Sequence, residues 1–149
     1  MSLARFVATW FGCGLSPLAP GTVGSLGTLP LWWFLSRAGT PLYWLVTLVL
    51  TVIGVWASEQ TARELGDDDP GSVVIDEVVG TLLALGLGGG GLVANVSAFV
   101  LFRAFDIKKP WLIDRVQYLR PAGVGIMADD VLAGVAAGAL VRLAVTFFG

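Results

Sequence analysis

The sequence predicts an all-α protein, a small polytopic helical bundle in a membrane, on three observations. Mean hydropathy is +0.82, with 56% hydrophobic and only 13% charged residues, too apolar for an ordinary soluble domain. The charges are confined: none occurs between Arg5 and Arg37, and Leu42–Ser58 and Val78–Phe102 are uncharged runs of about the length that crosses a bilayer. The few carboxylates that do occur, Asp76-Glu77, Asp106 and Asp129-Asp130, stand at the edges of apolar stretches. Ionised carboxylates beside hydrocarbon are costly unless paired, solvated or metal-bound. Three such groups in three segments point to one shared metal-assisted site at a membrane surface.

At 149 residues the chain is read as a single domain, 1–149. The net charge of −2 and the absence of a basic tract argue against nucleic acid as partner. Cys13 is the only cysteine, which excludes an internal disulfide and a thiolate metal cage. There is no histidine, so Ser-His-Asp hydrolysis and histidine zinc sites are excluded. Any chemistry must run on carboxylates, Lys, Arg, Ser, Thr and backbone. No secretory signal peptide is expected, because Gly12–Gly21 reads as a structured loop and not as a cleavage site.

Taken in order, Gly12–Ser25 is rich in glycine and proline and reads as a loop that breaks the first apolar run. Leu26–Leu35 is a short apolar segment, and Pro41 opens the uncharged run Leu42–Ser58. Trp56–Leu65 is helical, with Glu59 and Arg63 at i,i+4, and Gly66 stops it. Asp67-Asp68-Asp69-Pro70-Gly71-Ser72 is an acidic turn. Asp67 and Asp69 have the spacing of the haloacid dehalogenase phosphatase motif, but no β-branched apolar strand precedes them, and the turn is read as solvated loop.

Val78–Phe102 carries Gly88-Gly89-Gly90-Gly91 at its centre. Four glycines inside one helix would cost about 3–4 kcal/mol relative to alanine, which favours a helical hairpin turning at the glycines over one spanning helix. The hairpin returns Asp76 and Arg103 to the same side. Arg103 to Arg120 is basic and therefore expected to be cytoplasmic. Pro121–Asp130 reads as a glycine-containing loop leading into a last helix, Val131–Phe148, where Gly134 and Gly138 form a small-residue face for close packing.

Asp76-Glu77 lies inside apolar sequence, where a solvated helix-start pair is the competing reading. Arg103, Asp106 and Lys109 recur every three residues and share a helix face, either as cations for phosphate oxygens flanking a carboxylate or as a structural ion-pair ladder. Asp129-Asp130 suits Mg2+, which takes one or two carboxylates plus water and phosphate; N-capping would account for one aspartate only. Ser16, Thr22 and Ser25 lie in the glycine-rich segment, which could cradle phosphate or equally well be a packing turn.

Together these motifs resemble the phosphatidylglycerophosphatase A family. The matching pieces are Gly14–Ser25, Asp69–Gly80, Phe102–Trp111 and Gly123–Gly134, in the family's order over nearly the whole chain. The chain departs from the family pattern at Leu112, where a second proline is common, at Lys108, an extra cation, and in the acidic turn, which is less acidic and histidine-bearing in relatives.

The resemblance implies an α-helical, magnesium-dependent phosphomonoesterase that converts phosphatidylglycerophosphate to phosphatidylglycerol in bacterial phospholipid synthesis. It would be a multi-pass protein of the bacterial inner membrane with its site facing the cytoplasm, and a homo-oligomer is compatible with it. The expected catalytic residues are Asp76, Glu77, Asp106, Asp129 and Asp130, with Asp76, Glu77, Asp129 and Asp130 as ligands of Mg2+. Arg103, Lys109, Thr22 and Ser25 are the expected phosphate-binding residues. An ion-conducting protein using intramembrane carboxylates, and a non-catalytic membrane scaffold, are the alternatives from other classes.

Overall fold

The computed structural model describes residues 1–149 and contains helices and no strands. In chain order these are α1 (Leu3–Ala8), a 3-10 turn (Cys13–Leu15), α2 (Pro20–Gly27), α3 (Leu29–Ala38), α4 (Thr40–Leu65), α5 (Ile75–Gly88), α6 (Leu92–Lys108), α7 (Leu112–Val116) and α8 (Ala122–Phe148). The central element is α8, against which α4, α5, α6 and α7 all pack, while α1 lies on α4 and α2 on α5.

Two helices, α4 at 26 residues and α8 at 27, are long and apolar enough to cross a membrane. Only 22% and 28% of their most apolar windows are buried within the protein, unlike core helices of a soluble domain. On α4, Leu45, Leu48 and Val52 are all exposed.

The chain breaks at the glycines: α5 ends at Gly88, α6 starts at Leu92, and Gly89 and Gly90 take positive φ of 46° and 126°. The two helices run for 14 and 17 residues, about 21 and 25 Å. Their far ends meet, with Arg103 Nη1 of α6 3.9 Å from Glu77 Oε1 of α5.

The core has two patches. One joins α1, α4, α5 and the start of α8 through Ala8, Ala57, Val78, Leu82 and Met127; the other joins α5, α6 and α8 through Ala84, Phe102, Ala133 and Ala137. Between α5 and α8 the backbones nearly touch. A methyl added at Gly134 would lie 2.5 Å from the carbonyl oxygen of Gly80, and one at Gly138 2.9 Å from that of Ala84. The small face expected at Gly134 and Gly138 is thus the α5 contact.

Two expectations are corrected. Pro121–Asp130 is not a loop: α8 begins at Ala122. Its glycines mark close approach, since a methyl at Gly123 would sit 2.8 Å from Glu59 Cβ and one at Gly125 2.7 Å from the Leu119 carbonyl oxygen. The helix start is capped from afar, because the Gly123 N–H donates to Glu59 Oε2 at 2.8 Å. Likewise Thr22 and Ser25 are not in a loop but in α2, which opens with Pro20 at its first position. Gly14 and Gly24 pack on Ser72 and Val74, so these glycines serve close packing. The expected ion pair Glu59–Arg63 forms at 2.8 Å.

Candidate active site

The first turn of α5 carries Asp76 and Glu77, the last turn of α6 carries Asp106, and α8 carries Asp129 and Asp130. With α8 starting at Ala122, the aspartate pair sits about two turns inside the helix, so capping explains neither residue. The hub position of α8 brings the three segments together. One oxygen each from Asp76, Asp129 and Asp130 lie within 4.8 Å of one another, and so do oxygens of Glu77, Asp106 and Asp130. Asp130, 1% exposed, belongs to both triads.

Two cations enter the same space. Arg103 pairs closely with Asp106, and its Nη2 lies 3.4 Å from Thr22 Oγ1. Lys109 pairs closely with Asp129 and approaches Asp106 Oδ1 at 3.8 Å. Lys109 ends α6 in the left-handed conformation (φ 44°, ψ 61°), its N–H donating to the Phe105 carbonyl at 2.7 Å. Burial works to lower its pKa, but the bond to Asp129 and the charges of Asp129, Asp130 and Asp106 outweigh that and hold it well above the usual lysine range. Lys109 is therefore a cation at neutral pH.

These groups border a cleft of about 420 Å3, walled by Ala19–Thr22 of the α2 start, Asp69–Gly71 of the acidic turn, Val73, Asp76, Glu77, Arg103, Asp106, Ile107, Lys109 and Asp129. Of the expected phosphate-binding residues, Arg103, Lys109 and Thr22 edge this cleft. Ser25 is fully buried with no partner for its hydroxyl and lies outside the lining.

Asp106 stands beside Glu77 and Asp130 as a potential ligand, within the shared site that its place beside apolar sequence suggested. Asp69 and Gly21 also edge the cleft. Proline-glycine motifs next to both marked these segments, but nothing local indicated which residue faces the site. Gly21 meets Glu77 so closely that a methyl there would overlap Glu77 Oε1 and lie 3.1 Å from Arg103 Nη2. Gly21→Ala is expected to displace both side chains and lower kcat/KM for phosphate release about 10- to 100-fold, with the thermal melt nearly unchanged.

The residues fit divalent cations. The five clustered carboxylates, Asp76, Glu77, Asp106, Asp129 and Asp130, stand with two cations, a formal excess of three negative charges. Asp76 Oδ1, Glu77 Oε2 and Asp130 Oδ2 are buried without hydrogen-bond partners. Buried carboxylate oxygens left bare are costly, and an all-oxygen donor set is the preference of Mg2+.

An all-helical protein with a buried carboxylate cluster beside an arginine and a lysine belongs to a class suited to divalent cations and phosphate. More specifically, residues 6–145 match the model of the phosphatidylglycerophosphatase A family, and the chain belongs to that family of phosphatases. It is 42% identical to phosphatidylglycerophosphatase A of Escherichia coli over 134 residues, covering 88% of this chain and 77% of the relative. It is 39% identical to phosphatidylglycerophosphatase A of Haemophilus influenzae over 138 residues, covering 88% and 82%. A Bacteroides thetaiotaomicron protein, named as a candidate phosphatidylinositol-3-phosphatase, is 39% identical over 150 residues, covering 95% and 93%. No solved structure matches the chain significantly.

Proposed function

We propose that this protein is a Mg2+-dependent hydrolase that removes the terminal phosphate of phosphatidylglycerophosphate at the cytoplasmic face of the bacterial inner membrane, yielding phosphatidylglycerol. The supporting observation is the pair of carboxylate triads sharing Asp130, with bare buried oxygens, beside Arg103 and Lys109. Family membership favours this over an ion path or a scaffold.

Asp76, Asp129 and Asp130 would hold one cation, and Glu77, Asp106 and Asp130 a second. Bound there, Mg2+ would polarise the phosphoryl oxygens and lower the pKa of a water. Arg103 and Lys109 bind the phosphate and offset the charge that develops on it, while Thr22 supports the Arg103 guanidinium. Glu77, with a free Oε2, takes the proton of the attacking water. As the new P–O bond forms, the bond to the glycerol oxygen breaks, and the proton held by Glu77 leaves on that oxygen.

The placement follows from the same surface. In this reading α4 and α8 cross the bilayer, and α5 and α6, shorter than its roughly 30 Å core, form a hairpin entering from the site's side. The basic stretch from Arg103 to Arg120 favours the cytoplasm for that side.

The test is phosphate release by the purified protein from phosphatidylglycerophosphate in mixed micelles. Activity should rise with Mg2+ and fall at least 100-fold in EDTA, recovering when Mg2+ is restored; hydrolysis indifferent to EDTA would defeat the metal assignment. Phosphatidylinositol 3-phosphate serves as the comparison substrate, since one relative's name points there. Faster turnover of the inositol lipid would move the substrate assignment to it.

A further inference from the structure

The mouth of the cleft has two unlike rims. One is the acidic turn, with Asp69, Pro70 and Gly71 on the cleft wall. The other is apolar, formed where the start of α2 meets the end of α6. The contact of Thr22 with Arg103, at 3.4 Å, brings these two segments near each other. Ile107 follows Arg103 by four residues, one turn further along the same helix face, and Ala19 precedes Thr22 by three. Ile107 and Ala19 both line the cleft, and Leu18 adjoins Ala19. Ile107 is nevertheless 69% exposed and Leu18 79% exposed. Trp111, just past the end of α6, is exposed as well.

Large apolar side chains this open, at or next to a cleft that holds seven charged residues, have no cover within the protein. A substrate with a phosphomonoester at one end and diacylglycerol at the other has the complementary polarity. With its phosphate beside Arg103 and Lys109, its lipid part must leave the cleft over one rim. The acidic rim would repel the internal phosphodiester and offers hydrocarbon nothing; the apolar rim excludes water from both.

We propose that the apolar rim carrying Ile107 and Ala19, with Leu18 beside it, is a lateral portal, over which the glycerol ester region and acyl chains of a lipid phosphomonoester extend from the cleft into the bilayer. This rests on the phosphatase reading above. Leu18 and Ile107 are then positioning residues, which select for a lipid-borne phosphate without touching the reacting atoms.

The test compares long-chain phosphatidylglycerophosphate in mixed micelles with its deacylated, water-soluble counterpart. The double variant Leu18→Gln/Ile107→Gln should lose about tenfold or more of the wild-type preference for the lipid, through KM for the lipid and not through kcat. Leu18→Met/Ile107→Leu should retain the preference. Leu48→Gln/Val52→Gln, at comparably exposed apolar positions of α4, controls for general affinity for micelles and should leave it unchanged.

An equal loss in the α4 control, or a parallel fall on both substrates, would overturn the portal. So would a change of oligomeric state in the glutamine variant with the preference kept, which would assign the rim to contact between copies of the chain. A wild type that releases no phosphate from either substrate would overturn the phosphatase reading, and the portal with it. A wild type that hydrolyses both substrates without preferring the lipid would overturn the portal alone.

Discussion

Asp130→Asn should abolish Mg2+-dependent phosphate release, lowering kcat about 1,000-fold or more, while the metal-free protein melts no lower than wild type. Asp130 contributes an oxygen to both carboxylate triads, so one change weakens both cation positions. An amide keeps the shape but removes the negative charge and one acceptor. The stability half of the expectation comes from the same crowding. Without a cation, Asp130 stands among Asp76, Glu77, Asp106 and Asp129, where like charges oppose one another, and neutralising the shared member relieves that repulsion. The pair of readouts separates roles: a residue needed only for folding would lose activity and melting temperature together. Retained Mg2+-dependent turnover in Asp130→Asn would remove Asp130 from the site.

Gly134→Val should destabilise the protein by about 3 kcal/mol, lowering the melting temperature in detergent by about 6–12 °C. The added methyls would run into the Gly80 carbonyl, since even a single Cβ at Gly134 lies 2.5 Å from that oxygen. The obstacle is backbone, which cannot swing aside as a side chain would. Gly91→Ala is the matching control, because nothing lies within 4 Å of a Cβ there and its φ of −76° is ordinary. Equal melts for the two variants would mean that α5 and α8 do not meet as described.

Much of this fold was legible because its signals are local. The uncharged runs, the stop at Gly66 and the pairing of Glu59 with Arg63 each depend on neighbours in sequence. What misled were glycines, whose meaning depends on what lies opposite them. Gly123 and Gly125 resemble turn residues, yet they are helical and flush against α4 and the segment before α8. The cap that starts the helix comes from Glu59, 64 residues away, and no local pattern announces it.

The site divides in the same way. That Asp76-Glu77, Asp106 and Asp129-Asp130 needed an explanation followed from charge beside hydrocarbon, and the structure brings all five residues together. That Asp130 would be shared, that Asp106 would join Glu77, and that Gly21 would press on the Glu77 carboxylate are products of packing between distant helices. Ser25 shows the converse. Its neighbours made it resemble a phosphate ligand, and the fold buries it on the inner side of α2.

The backbone-to-backbone contact of α5 with α8 also bears on how the molecule moves. With carbonyls seated where glycines leave room, neither helix can slide along the other without collision, so Asp76, Glu77, Asp129 and Asp130 ride on one rigid unit. The groups on the other side of the cleft are attached through side chains: Arg103 to Thr22, and Lys109 to Asp129. Such links rearrange by rotamer changes in nanoseconds or less, far faster than packed helices shift. In the proposed reaction the packed helices, α6 included, would keep the carboxylates in register, while only the Arg103 and Lys109 side chains shift to admit the phosphate and let it go.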